Sequence, residues 1–362
     1  MRRLVVVTLV GLATAAAALA AACLAGGCTA TGGVGYVAQS VGGHLSMIQR
    51  ARPIDDWLDD PATPAALGQR LALARQLRRF AVERLALPDN ASYRRYADLG
   101  RPAAVWNVVA APELSLTLKT WCFPVLGCVG YRGYFDRADA EAEGRALRDA
   151  DWEVSVYGVP AYSTLGWTNW LGGDPLLNTF VRGPESELAR LVFHELSHQV
   201  AYAADDTMFN ESYATAVERL GLARWLAESG RPADDPAALQ RRADVRALAL
   251  ATRQALAAVY DSALSDDDKR LRKAELFAQL RAGHAALKAG RWSGFAGYDD
   301  WFARANNAAL AVQAAYDGLV PDFERLFRRE GGDFARFHAE VRRLAALPKA
   351  QRRATLQGLA PP

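Results

Sequence analysis

The chain has 362 residues, of which 51% are apolar and 23% are charged, and its formal net charge is +3. This length suits about two structural units and is too great for a small fold held by disulfides, and the apolar content argues against disorder. The nearly neutral charge, with no run of Lys and Arg interleaved with aromatic residues, argues against a nucleic acid as partner.

The first residues have the pattern of an export signal. Arg2 and Arg3 precede an uncharged, Ala-rich run from Leu4 to Ala22, as in the basic and apolar regions of a signal peptide. Small residues then precede Cys28, as in the cleavage box of bacterial lipoproteins, and this resemblance implies cleavage before Cys28 and lipidation of its thiol. Cys23 is a weaker site. The alternatives are an ordinary secretory signal and a single membrane-spanning anchor.

The predicted compartment is the cell envelope. The residue after Cys28 is Thr29, and the Asp that marks inner-membrane retention in enteric-type lipoproteins is absent. We therefore expect an outer-membrane protein that faces the periplasm and is attached to the membrane by its N-terminal lipid. In that oxidising compartment the two remaining cysteines, Cys122 and Cys128, are expected to pair; two buried thiols are the alternative.

Helices are predicted for the first part of the mature chain. A Gly-rich stretch, residues 29–43, is expected to be flexible. Residues 45–87 carry apolar side chains at helical spacing, and Pro53 and Pro61 break this segment into two or three helices.

Strands are predicted only in the middle of the chain. Runs rich in β-branched and aromatic residues predict strands at residues 104–110, 115–121 and 152–158, with a charged, Ala-rich helix at residues 137–149. From Pro184 onward nearly every segment is predicted to be helical, with joints at residues 230–236 and 290–297.

The helix that begins at Pro184 carries the motif with the clearest chemistry. Pro184 and the acids Glu185 and Glu187 are typical of a helix N-terminus. The helix continues into His194-Glu195-Leu196-Ser197-His198, the H-E-x-x-H pattern. Two His four residues apart project from one helix face and can hold a zinc ion. The Glu between them can take a proton from the attacking water and pass it to the leaving amine.

A third ligand is needed, because catalytic zinc takes three protein ligands and keeps one position open. Asn210-Glu211 follows shortly and resembles the Asn-Glu-x-x-Ala-like segment of the gluzincin metallopeptidases, which include thermolysin and the membrane alanyl aminopeptidases. The resemblance implies that His194, His198 and Glu211 are the zinc ligands and that Glu195 is the base. The connection between the two segments is shorter than in those families and requires a tighter turn.

Several residues near this motif are candidates for supporting roles. Glu218 lies seven residues beyond Glu211 on the same helix face and can orient a ligating His; an ordinary surface Glu is the alternative. The oxyanion of the tetrahedral intermediate needs a further donor. The candidates for contact with the substrate or this oxyanion are Tyr162, Tyr213 and Tyr316, and His284 is another.

Segments spread along the mature chain carry a second resemblance. They are Gly35–Ser40, Leu87–Tyr93, the loop between Cys122 and Cys128, Tyr157–Trp167, and His194–His198 with Asn210-Glu211. In these segments the chain is similar to a proteobacterial family of predicted aminopeptidases, many of them exported. The resemblance implies zinc-dependent hydrolysis of a peptide substrate, with one zinc ion per chain.

The expected fold is α+β and gluzincin-like, mainly helical, with a small sheet beside the zinc helix. In gluzincins an edge strand pairs with the substrate backbone, and residues 154–165 are placed to be that strand. We divide the chain into a lipoprotein signal peptide at residues 1–27, an N-terminal helical region with the sheet at residues 28–183, and the zinc-binding helices with a C-terminal helical subdomain at residues 184–362.

Three functions remain open at this stage. An aminopeptidase binds the free α-amine of its substrate, usually through an acid near the zinc, and the sequence does not identify that acid. A zinc endopeptidase or an amidase, acting for example on a peptidoglycan peptide, is therefore an alternative. A non-catalytic envelope lipoprotein of peptidase fold, acting by protein interaction, is another, and its protein partners are unknown.

Overall fold

The computed structural model of the chain describes residues 32–123, 127–164, 169, 172–230 and 236–358. The export signal, with Cys23 and Cys28, lies outside these residues. Two compact units are distinguished, residues 1–49 and residues 50–362, and the boundary that we predicted after residue 183 falls within the second. Among the described helices, none is long and apolar enough to cross a membrane.

Helices make up most of the described part, and the strands are short. In chain order the elements are α1 (Gly32–Arg50), β1 (Arg52–Pro53), α2 (Ile54–Asp59), α3 (Ala65–Leu85), β2 (Arg95–Ala97), β3 (Val105–Pro112), β4 (Trp121–Phe123), β5 (Gly127–Val129), β6 (Arg132–Tyr134), α4 (Arg137–Arg148), β7 (Trp152–Val159), β8 (Leu176–Leu177), α5 (Asn178–Val181), α6 (Glu185–Ser197), α7 (Thr207–Ser229), α8 (Pro236–Tyr260), α9 (Asp266–Ala289), α10 (Asp299–Arg304), α11 (Asn307–Asp317), α12 (Val320–Arg329), α13 (Phe334–Ala345) and α14 (Lys349–Gln357).

Helix α1 occupies most of the stretch that we predicted to be flexible, so that prediction was wrong from Gly32 onward. Each Gly within a helix costs about 1 kcal/mol relative to Ala, and the prediction weighed only this cost. The same segment places apolar residues three to four positions apart, at Val41, Leu45 and Ile48, and this spacing favours a helix.

The main sheet has the order β6-β3-β7, and both of its pairings are antiparallel. Strand β3 pairs with β7 from Val105 opposite Val159 to Pro112 opposite Trp152. The helices α4 and α11 pack against the sheet. Strand β7 is therefore an edge strand within the described sheet.

The strand predicted at residues 115–121 is absent, and this prediction was wrong. The segment after β3 turns, and Lys119 returns one hydrogen bond to the Ala110 carbonyl, 2.8 Å. Strand β6 pairs with β3 only from Trp106 to Val108, so the edge of β3 near Ala110 is open to this segment, but one hydrogen bond does not make a strand. Strand β4 instead pairs with β5 as a hairpin, which a disulfide between Cys122 and Cys128 closes.

Helices α6 and α7 lie against each other at the centre of the helical part, and α7 also packs on α11 and α12. Helix α3 covers α6 and α7 through Phe80, whose ring lies 5.0 Å from Trp225 and 6.0 Å from Phe193. A separate apolar cluster, which includes Val245, Leu280 and Phe302, holds α8, α9 and α10 together.

Candidate metal centre

Two histidines and one carboxylate converge where α6 and α7 pack together. His194 and His198 lie one turn apart at the end of α6, and Glu211 lies in the second turn of α7. Glu211 Oε2 is 3.3 Å from His194 Nε2 and 3.6 Å from His198 Nε2. The three ligand atoms lie within 4.8 Å of one another. Two imidazole nitrogens and one carboxylate oxygen form a donor set that suits zinc.

The convergence depends on a close approach of the two helices. A Cβ added at Gly221 of α7 would lie 2.8 Å from Leu85 Cδ1 and 3.0 Å from Phe193 Cδ2. A larger residue would push α7 away from α6 and α3, so glycine at this position permits the close approach at which His194, His198 and Glu211 converge.

The short turn between His198 and Glu211 is held by side chains of α7. Asn210 donates to the Ala203 carbonyl, 2.9 Å, and accepts from the Ala203 N–H, 2.8 Å. Asp206 accepts from the Phe209 N–H and so caps α7. The tight connection that the sequence requires is therefore closed by Asn210, the neighbour of the proposed ligand.

The capping carboxylate of Asp206 is fully buried and paired with cations of α14. Arg352 Nη1 lies 2.8 Å from Asp206, and Arg353 contacts the same carboxylate. Burial would raise the pKa of Asp206, but the hydrogen bonds and charges of the two arginines lower it below its usual value. The C-terminal helix thereby fixes the start of the helix that carries Glu211.

Glu218 binds the outer side of the first histidine. His194 Nδ1 donates to Glu218 Oε2 at 3.1 Å, and this leaves Nε2 directed at Glu211. Arg190 in turn lies 3.4 Å from Glu218. A carboxylate on the far ring nitrogen fixes the tautomer and the orientation of a ligating His.

The charged groups of the centre shift one another's pKa values. Burial lowers the pKa of His194, but hydrogen bonds to Glu211 and Glu218 outweigh it, and the pKa lies well above its usual value. Burial raises the pKa of Glu211, but the charge of His198 and hydrogen bonds from both histidines bring it to about 2. Glu195 differs, because burial outweighs the nearby histidines and leaves its pKa raised.

The prediction that Tyr213 reaches the reacting groups was wrong. Its hydroxyl donates to His338 Nδ1 at 2.8 Å, and His338 Nε2 donates to the Leu85 carbonyl at 2.9 Å. Tyr213 is fully buried among aromatic rings, including that of Phe323. Two residues correspond to about 200° around a helix, so a residue two beyond Glu211 faces away from the ligands.

Of the other predicted candidates, Tyr162 and His284 contact rings outside the three-residue cluster. Tyr162 packs its ring on Phe135, 5.1 Å between centroids. The side chain of Tyr316 lies outside the described part of the structure. His284 stacks on Phe302 at 4.2 Å, within the cluster that joins α8 to α10.

Three tyrosines that sequence reasoning missed lie within electrostatic reach of Glu211. Burial, followed by the charge of Glu211, raises the pKa of Tyr131 and of Tyr202, and burial with Glu211 raises that of Tyr157 to about 12. Glu195 also raises the pKa of Tyr131. Tyr202 carried a signal in the sequence through its place between the second His and Glu211, and Tyr157 through its place in the resembling segment Tyr157–Trp167, whereas Tyr131 carried none.

The turn at Leu87–Tyr93 braces the end of α6. Gln199 follows the second histidine, accepts from Asn90 Nδ2 at 2.6 Å and donates to Ser92 Oγ at 3.1 Å. The turn ends at Tyr93, whose φ is +63° and whose hydroxyl is buried without a hydrogen-bond partner among the described residues. Burial and the charge of Glu195 raise the pKa of Tyr93, so the turn lies beside the proposed base.

The comparisons with known proteins give one match. The model of a protein family described as "Putative aminopeptidase" matches residues 35–356. The matched range covers most of the chain and includes the turn at Leu87–Tyr93 and both helices of the metal centre. No curated protein and no solved structure matches the chain.

Proposed function

Because the chain belongs to the family described as "Putative aminopeptidase", we propose that it is a zinc-dependent metallopeptidase that cleaves residues from the free amino end of peptides. The observation that carries the zinc part of this proposal is the convergence of His194, His198 and Glu211, whose ligand atoms lie within 4.8 Å of one another beside Glu195.

The residues fit a catalytic zinc ion. Glu218 occupies Nδ1 of His194, so Nε2 is available as a ligand, and Nε2 of His198 points to the same Glu211 oxygen. Three protein donors of these types are what a catalytic zinc site would supply. Bound there, zinc would act as a Lewis acid that lowers the pKa of water and polarises the scissile carbonyl.

Glu195 is the proposed general base. Its carboxylate takes a proton from the attacking water and then delivers that proton to the departing nitrogen. Burial raises the pKa of Glu195, which makes the protonated form a competent donor in the second step. The base must be ionised in the first step, so activity is lost as the pH falls through this raised pKa.

Tyr131 is the proposed donor to the oxyanion. Burial raises its pKa, and the charges of Glu211 and Glu195 raise it further, whereas for Tyr157 and Tyr202 only Glu211 of these two glutamates acts. The raised pKa keeps the phenol protonated at neutral pH, so its O–H remains a donor.

The proposed acceptor of the substrate α-amine is Asp205. It is exposed in the turn between α6 and α7, where its Oδ1 accepts from the Cys128 N–H at 2.6 Å. Burial, followed by the charges of Glu211 and Asp205, raises the pKa of Tyr202. Asp174 also lies near Glu195, but it is fully buried and accepts hydrogen bonds from the N–H and hydroxyl of Thr164, so it cannot contact a substrate. We expect Asp205→Asn to raise KM for free-amine substrates more than for blocked ones.

Export and a lipid anchor at Cys28 are part of the proposal. They are supported by the basic start and apolar run that precede this residue. Labelling with a fatty-acid analogue in a bacterial host should modify the wild type and leave Cys28→Ser unmodified. Labelling retained in that variant but lost in Cys23→Ser would move the anchor to Cys23.

Activity of the full chain tests the enzymatic proposal. We expect cleavage of aminoacyl-amide reporters and no cleavage of N-acetylated peptides, with activity lost in Glu195→Gln and kept in Glu83→Gln, an exposed glutamate of α3. Cleavage of blocked peptides would instead identify an endopeptidase. Absence of turnover on both sets, with zinc bound, would favour an envelope protein that acts by interaction.

A further inference from the structure

The hairpin of β4 and β5 contacts the turn that joins the two helices of the metal centre. It is a two-stranded sheet separate from the main one, and Cys122 lies directly opposite Cys128, to which it is cross-linked. The Cys128 N–H donates to Asp205 Oδ1 at 2.6 Å. Asp205 lies between His198 and Glu211 in sequence, so the hairpin contacts the segment that separates two of the proposed ligands.

The backbone of Asp205 is fixed from the other side, by α14. Its φ is +60°, in the left-handed region that few residues other than Gly adopt. Such a conformation persists where the surroundings over-determine it. Lys349 donates to the Asp205 carbonyl at 2.7 Å, and the neighbouring Asp206 is paired with two arginines of the same helix. The turn is therefore held by α14, whereas the hairpin holds the side chain of Asp205.

The contact with Cys128 orients the Asp205 carboxylate. Within the described part of the chain, it is the one hydrogen bond that this carboxylate accepts. Asp205 is exposed, and an exposed side chain without such a contact populates several rotamers. A donor on Oδ1 thus determines where Oδ2 lies, and Oδ2 is the oxygen left to accept from an α-amine of the substrate.

The cross-link supplies the rigidity that so short a hairpin lacks. Three residue pairs join β4 to β5, and an isolated hairpin of two strands is only marginally stable in water. No third strand of the described sheets pairs with β4 or β5. The bond between Cys122 and Cys128 holds the two strands together. Without it we expect the strands to separate and the Cys128 N–H to leave Asp205.

The residues that follow the hairpin are held by packing instead. Val129 is buried, and a Cβ added at Gly130 would lie 3.0 Å from Leu118 Cδ1. Leu118 and Tyr131 both pack against one buried apolar cluster, which β3 and α11 form. Loss of the cross-link should therefore displace the Cys128 N–H but leave Tyr131, the proposed oxyanion donor, in position.

We propose that the disulfide between Cys122 and Cys128 determines specificity, because it positions the carboxylate of Asp205 to accept the free α-amine of the substrate. This inference rests on the proposed role of Asp205 as the amine acceptor. Cys128 is then a positioning residue that acts through Asp205. The preference for a free amino end depends on the oxidised hairpin, and so on an oxidising compartment, whereas zinc binding does not.

Binding of leucinamide and of N-acetyl-leucinamide to the full chain tests this assignment. The titrations use Glu195→Gln as background, so neither probe is processed. There we expect leucinamide to bind at least about tenfold more tightly than its acetylated form, because it gains a hydrogen bond between charged groups. The double variant Cys122→Ser/Cys128→Ser should bring the two affinities within about threefold of each other, with zinc content unchanged.

The design separates positioning from stability. The ratio of the two affinities is taken within one protein, so a lower Tm of the double variant does not by itself change it. The cysteines are replaced rather than reduced, because a dithiol reagent would also bind zinc. Thr120→Ala, at an exposed residue just before β4, is the matched control and should keep the full preference for leucinamide.

The variant Asp205→Asn locates the effect. It should lose the preference for leucinamide, and adding the two serine substitutions to it should change the ratio no further, because the hairpin then has no carboxylate to orient. An unchanged preference in the serine double variant would overturn this proposal and leave the amine site intact. Equal affinity for both probes in the Glu195→Gln protein itself, with zinc bound, would instead contradict the proposed role of Asp205 and this inference with it.

Discussion

Two histidine environments lie on different faces of helix α7. On one face, His194 contacts Glu211 and Glu218, and its pKa is raised well above its usual value despite burial. On another, His338 lies among aromatic rings, hydrogen-bonds to Tyr213 and the Leu85 carbonyl among the described residues, and has its pKa lowered by burial to about 4. Burial is common to both, so the carboxylates account for the difference.

The neighbours of His194 are those expected of a metal ligand, as we propose it to be, and the neighbours of His338 are those of a structural histidine. A ring with a carboxylate on each nitrogen is held in one orientation and can exchange a proton for a metal ion. A ring that donates to a carbonyl and accepts from a phenol has both nitrogens occupied, as His338 does. We therefore expect changes on the two faces to affect different measurements.

The largest expected effect is on activity, from a change beside His194 and Glu211. Glu195→Gln removes the proposed proton acceptor but changes neither His ligand, so kcat/KM should fall by about 10²- to 10⁴-fold while zinc content stays the same. Steady-state assays with aminoacyl reporters and metal analysis check both quantities. A variant that keeps more than about a third of the activity would show that another group is the base.

The side of α7 that packs on His338 and its aromatic neighbours should control stability at acid pH. The folded pKa of His338 is about 4, against 6.5 for an unperturbed His, so the unfolded state binds the proton first as the pH falls. Stability should therefore be lost between pH 6.5 and pH 4, by about 3 kcal/mol in total. Urea unfolding of the wild type and of His338→Gln at several pH values measures this.

His338→Gln lacks the titrating group, so its free energy of unfolding should depend less on pH across that window even if it is lower at pH 7. If the free energy of unfolding falls equally steeply with decreasing pH in both proteins, groups other than His338 cause the loss of stability. Activity per folded molecule should be the same in both.

Loss of the carboxylate on the outer nitrogen of His194 should have an intermediate effect. Glu218→Gln keeps the side-chain shape but weakens the acceptor for Nδ1, and we expect zinc affinity to fall about 10- to 100-fold. Competition with a zinc-binding dye gives the affinity. An unchanged affinity would mean that the contact at 3.1 Å does not orient the ligand.

The smallest effect is expected for a helix cap on the aromatic side. Asp333 caps α13, the helix of His338, by accepting from the Arg336 N–H at 2.9 Å. Asp333→Ala should cost about 1 kcal/mol of unfolding free energy and leave kcat/KM unchanged. A loss of activity at equal folded fraction would couple the two faces of α7 and weaken the comparison.

Local patterns predicted the parts of the fold and site that are encoded locally. The helix that follows Pro184 and the spacing of His194 and His198 come from periodicity within a few turns, and the strands at residues 104–110 and 152–158 correspond to β3 and β7. The flexible stretch at residues 29–43 and the strand at residues 115–121 were wrong. Strand formation at residues 115–121 depends on whether the segment makes a continuous series of hydrogen bonds with a partner strand, which local sequence does not record.

The rest of the site depends on long-range packing. Tyr131 and Tyr157 come from a loop and a strand of the sheet, and although a sheet beside the zinc helix was expected from the resemblance, no pattern shows which of its side chains act on Glu211. Tyr213 was predicted because it adjoins Glu211 in sequence, although the rotation of the helix separates their side chains. The role of Gly221 also required the structure, because only the facing side chains of Leu85 and Phe193 show why a Cβ does not fit.

Zinc content tests the central claim, that His194, His198 and Glu211 form one metal site. After dialysis at neutral pH, the full chain should retain about one zinc ion per molecule, and His198→Phe should retain none while its folded content, measured by circular dichroism, is unchanged. Equal zinc content in the two proteins, or none in the wild type after dialysis against added zinc, would contradict the account.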